Sequence, residues 1–274
     1  IKKMNQKDES LKCCNYSLLA YLDPKENKEK CDELKINSPF FFDSSDSGFV
    51  DAQVYIFEKN EKLIISCRGT ESKLDIWADL KIWKDGLTDL YYHNNFKIFK
   101  ERYNLPYVHS GFYQQYNSIK FIIYNKILNY LEKNYDHPDI IFCGHSLGGA
   151  LATLGAICMK IQFLNRKNLR ISCETFGSPR VGNQDFVKIF DKFIDYSVRF
   201  VNYLDPIPMV PRINGYQHVK GLKHINSEES KSYDFNQPYQ QFNQYFFFIT
   251  NLFISQPDDH KLNNYFENLK KLIN

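Results

Sequence analysis

Ser146 is the residue whose neighbours most clearly suggest covalent chemistry. It lies in Gly144-His145-Ser146-Leu147-Gly148, after the apolar run "DIIFC" and before the small-residue stretch "GGALATLGA". Where a strand turns sharply into a helix at a Gly-x-Ser-x-Gly pentapeptide, the serine takes strained backbone angles. Its hydroxyl then stands clear of the sheet, and the glycines leave room for neighbouring backbone. The Leu147 N–H falls at a helix N-terminus, whose positive dipole end favours a developing oxyanion. The spacing points to Ser146 as a nucleophile in an elbow made by Gly144, His145 and Gly148. The competing reading is a Gly-rich helix start with a surface serine. A phosphate loop fails because no Lys-Ser/Thr follows the glycines.

A serine hydroxyl needs a base, and the base needs an orienting carboxylate. After a nucleophile elbow, the carboxylate precedes the histidine in the chain. Asp185 and Asp191 fall in a predicted helix, and Asp195 precedes a predicted strand. Asp205 ends a strand and opens the Pro-rich loop "DPIPMVP", which would hold it rigidly, although an Asp before Pro also starts ordinary turns. Three histidines follow, His218, His224 and His260. His260 has a small lead because it sits on a loop that the last helix would fix. Residues and spacing alone leave the choice among the three open. Asp258-Asp259-His260 lacks a companion ligand cluster, so no metal site is expected.

These residues require a scaffold. "LKCCNYSLLAYL" has helical spacing, and "GFVDAQVYIFEKNEKLIISCRGT" reads as two strands around a turn at Glu58-Lys59-Asn60-Glu61. "SIKFIIYNKILNYLEKN" predicts a helix, "DIIFCG" a buried strand and "GGALATLGAICMKIQFLN" a helix whose small residues allow close packing. "LRISCETFGSP" predicts a strand, "NQDFVKIFDKFI" a helix and "SVRFVNYLDPIP" a strand. "HKLNNYFENLKKLIN" predicts a last amphipathic helix, with Leu262, Tyr265, Phe266 and Leu269 on one face. Alternating strands and helices call for an α/β fold, a mostly parallel central sheet flanked by helices. Right-handed crossovers bring the strands' C-terminal ends to one rim, and Ser146, Gly177-Ser178 and Asp205 all follow strands.

Bulk properties narrow the function class. The 274 residues leave room for one large α/β domain or two small ones, and 43% hydrophobic residues suffice for a core. A net charge of +3, with the lysines spread along the chain, argues against a nucleic-acid partner. No apolar run approaches the roughly 20 residues of a membrane span. "YFFFITNLFI" (245–254) is too short and reads as a strand or as an apolar surface near a site. "IKKMNQKDES" shows no signal-peptide pattern. Of the seven cysteines, Cys67, Cys143, Cys158 and Cys173 sit in apolar segments and read as buried thiols. A bridge from Cys31 to Cys13 or Cys14 is expected if the chain is secreted, and Asn15-Tyr16-Ser17 is a glycosylation sequon for the same case.

"SCRGTES", "VHSGFYQQY", "FCGHSLGGALATL", "ETFGSPRVGN" with "VNYLDPIPMVP", and "DDHKLNNYF" occur in that order. With these stretches the chain resembles the fungal-type, or class 3, lipase family of the α/β-hydrolase fold. "GHSLGGALA" together with "GSPRVGN" is far more specific than the pentapeptide alone. The resemblance implies one α/β-hydrolase domain over 1–274 with a short helical lid, and a triad of Ser146, Asp205 and His260. It makes His260 the base, because the family's histidine follows Asp just ahead of Tyr-Phe, and it leaves His218 or His224 a structural role. It implies that Thr70 supplies an oxyanion contact beside the Leu147 N–H. It places the lid in "ESKLDIWADLKIWKD" (71–85), where Ile76, Trp77 and Leu80 share a helical face; an ordinary surface helix is the alternative. The implied activity is a triacylglycerol lipase that works without metal or organic cofactor on a lipid ester at a lipid–water interface. Phospholipase A1, mono- or diacylglycerol lipase, aryl esterase, peptidase and a non-catalytic lipid-binding or signalling module are the rivals. Family habit, the bridge and the sequon together lead to the expectation of a secreted protein; oligomeric state is not readable.

Overall fold

The computed structural model describes residues 2–22, 27–45, 52–69, 84–87, 104–133, 135–202, 205–211, 215–225 and 260–273. In chain order these form α1 (Lys2–Leu19), α2 (Asn27–Glu33), β1 (Phe40–Asp43), β2 (Gln53–Lys59), β3 (Lys62–Cys67), β4 (Lys84–Gly86), β5 (Tyr107–His109), α3 (Ser110–Leu131), β6 (Asp139–His145), α4 (Leu147–Gln162), β7 (Arg170–Phe176), β8 (Gly182–Asn183), α5 (Gln184–Phe193), β9 (Tyr196–Asn202), β10 (Tyr216–Gln217), β11 (Leu222–Ile225) and α6 (Leu262–Ile273).

The main sheet has the order β1-β2-β3-β6-β7-β9-β11. From β3 to β11 every neighbouring pair is parallel. The β1, β2 and β3 edge is antiparallel. The β2–β3 hairpin turns at Asn60 and Glu61, with φ of 49° and 61°. That sign at both central residues matches the right-handed twist of the flanking strands in a two-residue turn. The mostly parallel sheet expected from the sequence is therefore present. A second, four-stranded sheet, β10-β8-β5-β4, was not foreseen, and neither were β1 and β11.

Strand alternation divides the core in two. Ile140 and Phe142 of β6 pack with α3, α4 and α5, while Ile141 and Cys143 face the side covered by α1 and α6. α4 runs between the sheet and its neighbours and is buried almost all round, as its small first turns suggested. α3 begins at Ser110 rather than at Ser118, because His109 caps it and accepts from the Phe112 N–H at 3.4 Å. On the other face α1 packs along α6 and against β6. Leu262, Tyr265 and Leu269 of α6 are buried there.

One expectation is corrected on that face. Cys13, Cys14 and Cys31 are free and buried, as are the other four cysteines. α1 turns the Cys13 thiol to Cys143 of the sheet, with which it hydrogen-bonds, and not to Cys31. The Asn15-Tyr16-Ser17 sequon lies inside α1, where Ser17 is fully buried and its Oγ donates to the Cys13 carbonyl at 2.9 Å. The Asn15 amide oxygen is also buried, while the residue as a whole is half-buried. Among the described residues, no helix is long and apolar enough to cross a membrane.

Candidate active site

β6 ends at His145 and α4 begins at Leu147, which leaves Ser146 alone as the turn. Its backbone is held at φ 57° and ψ −128°. A non-glycine residue there carries a strain of about 1–3 kcal/mol. The surroundings enforce it. The Ser146 N–H donates to the Phe176 carbonyl at 2.9 Å, and the Ser146 carbonyl accepts from Gly149 N at 3.0 Å. A Cβ on Gly144 would lie 2.3 Å from the Gly148 carbonyl oxygen, and one on Gly148 would lie 2.2 Å from that of Cys67. Only glycine lets these backbones approach so closely. Leu147 opens α4, so its N–H is one of those a helix leaves without an internal partner.

β9 ends at Asn202, and Asp205 follows beside the elbow. His260, just ahead of α6, stands between Asp205 and Ser146. Its Nδ1 is 2.8 Å from Asp205 Oδ2, and its Nε2 is 2.8 Å from Ser146 Oγ. Ser146 and Asp205 are buried, while the His260 side chain keeps 13% of its exposure. An ionised carboxylate only accepts, so Nδ1 of His260 carries the proton. The Nε2 lone pair then faces the Ser146 hydroxyl. This tautomer can take a proton from Oγ while Asp205 stabilises the resulting cation.

The two Asp205 oxygens divide the labour. Oδ1 accepts from the Ile207 N–H at 2.9 Å, which is the ordinary turn contact of an Asp before Pro. Oδ2 accepts from His260 and also from the Tyr265 hydroxyl at 2.5 Å. The turn contact and the imidazole contact thus fall on different oxygens. Tyr265 was placed on the apolar face of the last helix, and its polar role was missed. Its oxygen also accepts the Asn202 N–H at 3.0 Å, so it ties α6 to the end of β9. Helical periodicity cannot report such a hydroxyl; the Tyr-Phe pair shortly after His260 was the available signal. Gly177 closes the site from β7, with φ of 59°. A Cβ there would lie 2.6 Å from Asp205 Oδ2 and 3.1 Å from His260 Nδ1.

His145 lies under the base, its ring centroid 4.5 Å from that of His260. The other candidates lie elsewhere. Asp185 and Asp191 are in α5. Asp191 Oδ1 accepts from the Lys220 N–H at 2.9 Å, and Asp195 Oδ2 accepts from Lys160 Nζ at 2.6 Å and from the Ile171 N–H at 2.8 Å. The Nε2–H of His218 donates to the Pro208 carbonyl at 2.6 Å. Burial holds this imidazole well below its usual range, and Arg199 and Arg180 push the same way. His224 lies on β11, its pKa pushed down to about 4 by burial and then by Arg199. Thr70, Ile76, Trp77, Leu80, Asp234, Asp258, Asp259 and the 245–254 stretch lie outside the described residues.

The sequence profile of the family described as "Lipase (class 3)" matches residues 64–215, more than half of the chain. A phospholipase A1-IIgamma of Arabidopsis thaliana is 34% identical over 187 residues, which cover 61% of this chain and 42% of that protein. A phospholipase A1-II 1 of Oryza sativa subsp. indica is 38% identical over 125 residues, 40% of this chain and 31% of that protein. The chain thus spans less than half the length of these curated relatives. Among solved structures, lipase II from Rhizopus niveus superposes with a TM-score of 0.66 at 24% identity, covering 82% of this chain and 83% of that one. That likeness shows a common fold.

Proposed function

The chain belongs to the class 3 lipase family, and from that premise we propose that it hydrolyses carboxylic esters of lipids through an acyl-enzyme on Ser146. The observation that carries the reading is the continuous line Ser146 Oγ, His260, Asp205 Oδ2, with both contacts at 2.8 Å, on a strained elbow at a helix N-terminus. Ser146 Oγ attacks the ester carbonyl carbon as His260 Nε2 takes its proton. The alkoxide leaves with that proton, and the acyl group remains on Oγ. Water then attacks the acyl carbon, giving a proton to Nε2, and the carboxylic acid is released as Oγ recovers it. Asp205 stays ionised throughout. The Leu147 N–H and Thr70 receive the oxyanion of each tetrahedral intermediate.

Triacylglycerol is the substrate we propose first, with residues 71–85 as a lid whose Ile76, Trp77 and Leu80 turn towards lipid when it opens. A second reading, removal of one acyl chain from a phospholipid, is supported by the two curated relatives described above, each named a phospholipase A1. Initial rates on emulsified trioctanoin, on mixed-micelle phosphatidylcholine and on p-nitrophenyl esters from acetate to palmitate separate these readings. A triacylglycerol lipase gives a rate jump once trioctanoin forms an interface. Faster release from phosphatidylcholine favours the second reading. No Ser146-dependent release from any ester by folded protein would sink both.

A further inference from the structure

We propose that Tyr21, just beyond the end of α1, is a positioning residue for His260, acting through His145. The inference rests on the reading of His260 as the base. His145 bridges two elements that the catalytic line itself does not join. Its Nε2 lies 2.6 Å from the backbone carbonyl oxygen of His260, and its Nδ1 lies 2.8 Å from the Tyr21 hydroxyl. A carbonyl only accepts, so Nε2 of His145 carries a proton. The ring is neutral: burial and then the charge of His260 hold its pKa well below the usual range, although the bond to the His260 carbonyl raises it. A neutral ring protonated at Nε2 has only a lone pair at Nδ1, so the Tyr21 hydroxyl donates.

The Tyr21 hydroxyl thus selects the tautomer of His145. Without that donor the Nδ1–H tautomer competes. The Nε2 lone pair would then face the His260 carbonyl lone pairs at 2.6 Å, and the contact that pins the His260 backbone would become repulsive. His260 sits directly before α6, where its backbone position sets the reach of Nε2 to Ser146. The same hydroxyl is seated against Gly69, two residues beyond the end of β3. A Cβ on Gly69 would lie 2.1 Å from it, so the residue ahead of Thr70 has to be glycine for Tyr21 to be there. The Arg68 guanidinium stands 5.9 Å from the Tyr21 ring centroid. One side chain therefore touches the end of β3 and, through one imidazole, the base. Tyr21 and His260 both lie outside residues 64–215, and α1 packs along α6, so the two ends of the chain carry this contact together.

The test is a double-mutant cycle of Tyr21→Phe and His145→Phe on dissolved p-nitrophenyl butyrate. Rates are taken per active site titrated with diethyl p-nitrophenyl phosphate, and Ser146→Ala is run alongside. Tyr21→Phe is expected to lower kcat per titrated site on the order of tenfold while KM stays within about twofold. In the His145→Phe background the same change should cost almost nothing, because its route to His260 is gone. Two losses that simply multiply would overturn the inference. So would a Tyr21→Phe protein that keeps kcat per titrated site within about twofold and loses only titratable sites, since that is a folding role. Should His145→Phe not fold, the kcat of Tyr21→Phe decides alone. A wild-type rate no higher than that of Ser146→Ala would instead remove the reading of the base, and the inference with it.

Discussion

Asp205 and Glu174 are both buried side-chain carboxyls, 1% and 2% exposed, and the fold treats them in opposite ways. Asp205 accepts from the Ile207 N–H, the Tyr265 hydroxyl and His260 Nδ1. Glu174 accepts a side-chain bond from Ser10, and its Oε2 has no hydrogen-bond partner among the described residues. Burial pushes the pKa of Glu174 up to about 7; Ser10, Lys223 and Lys62 pull it down, and Glu9 raises it. The cause of the contrast is position in the sheet. Glu174 lies within β7, opposite Cys143 of β6 and Val198 of β9, where the ladders consume the backbone donors. Asp205 lies past the end of β9, where a turn and a helix still have donors to give. A parallel sheet can solvate a buried carboxylate at its rim far more easily than in its middle, which is one physical reason for the site to be there.

The comparison can be broken by substitutions on either side of it. The largest effect on the reaction is expected for Asp205→Asn. An amide would donate to Nδ1 of His260, leaving the proton on Nε2, where it cannot take another from Ser146. We expect kcat on a p-nitrophenyl ester to fall by roughly 10⁴-fold, with the fold intact by circular dichroism. A fall of less than about tenfold would mean that the orienter is another group. Gly177→Ala comes next. Its methyl would lie 2.6 Å from Asp205 Oδ2 and would force a residue with φ of 59° to carry a side chain. Displacement of the carboxylate or of His260 should cost about 100-fold in kcat, read in the same assay.

Glu174→Gln should have the smallest effect on the reaction, leaving kcat unchanged, and its signature lies in stability. The folded pKa of about 7 exceeds the unfolded value near 4.5. The stability linked to this proton is therefore fully present below about pH 4.5 and lost as pH rises through 7. For a shift of this size the loss is roughly 3 kcal/mol. The amide cannot ionise and keeps the Ser10 contact. Urea midpoints at pH 5 and pH 8 should show the variant gaining on the wild type as pH rises. A wild-type-minus-variant difference that does not change between the two pH values would show that Glu174 is not a strained buried carboxyl.

Much of this arrangement could be read from the sequence, and the rest has definite physical reasons for being hidden. The main parallel strands and crossover helices follow from apolar runs bounded by Gly, Pro and Asn, which report burial directly. The elbow follows from Gly144 and Gly148, where a Cβ would lie little more than 2 Å from neighbouring backbone carbonyl oxygens, with Ser146 between them. The expectation about Asp205 rested on one strand end and one Pro-rich loop, which is where the structure puts it. What escaped were contacts made by tyrosine hydroxyls on or next to the apolar faces of helices. Tyr265 and Tyr21 look like core residues by periodicity, and only the tertiary fold brings their oxygens to Asp205 and His145. The two- to four-residue strands β4, β5, β8 and β10 carry no periodic signal of their own. The bridge expected from Cys31 failed because thiol spacing says nothing about which face of α1 meets the sheet.

The central claim is that Ser146 carries the acyl group. The most direct test is the hydrolysis rate of p-nitrophenyl octanoate by Ser146→Ala relative to wild type, at equal concentrations of folded protein. The geometry predicts a fall of at least about 10³-fold, down to the level left by oxyanion contacts and binding alone. A variant that retains activity within tenfold of wild type would contradict it. The glycines around Ser146 would then hold a turn and nothing more.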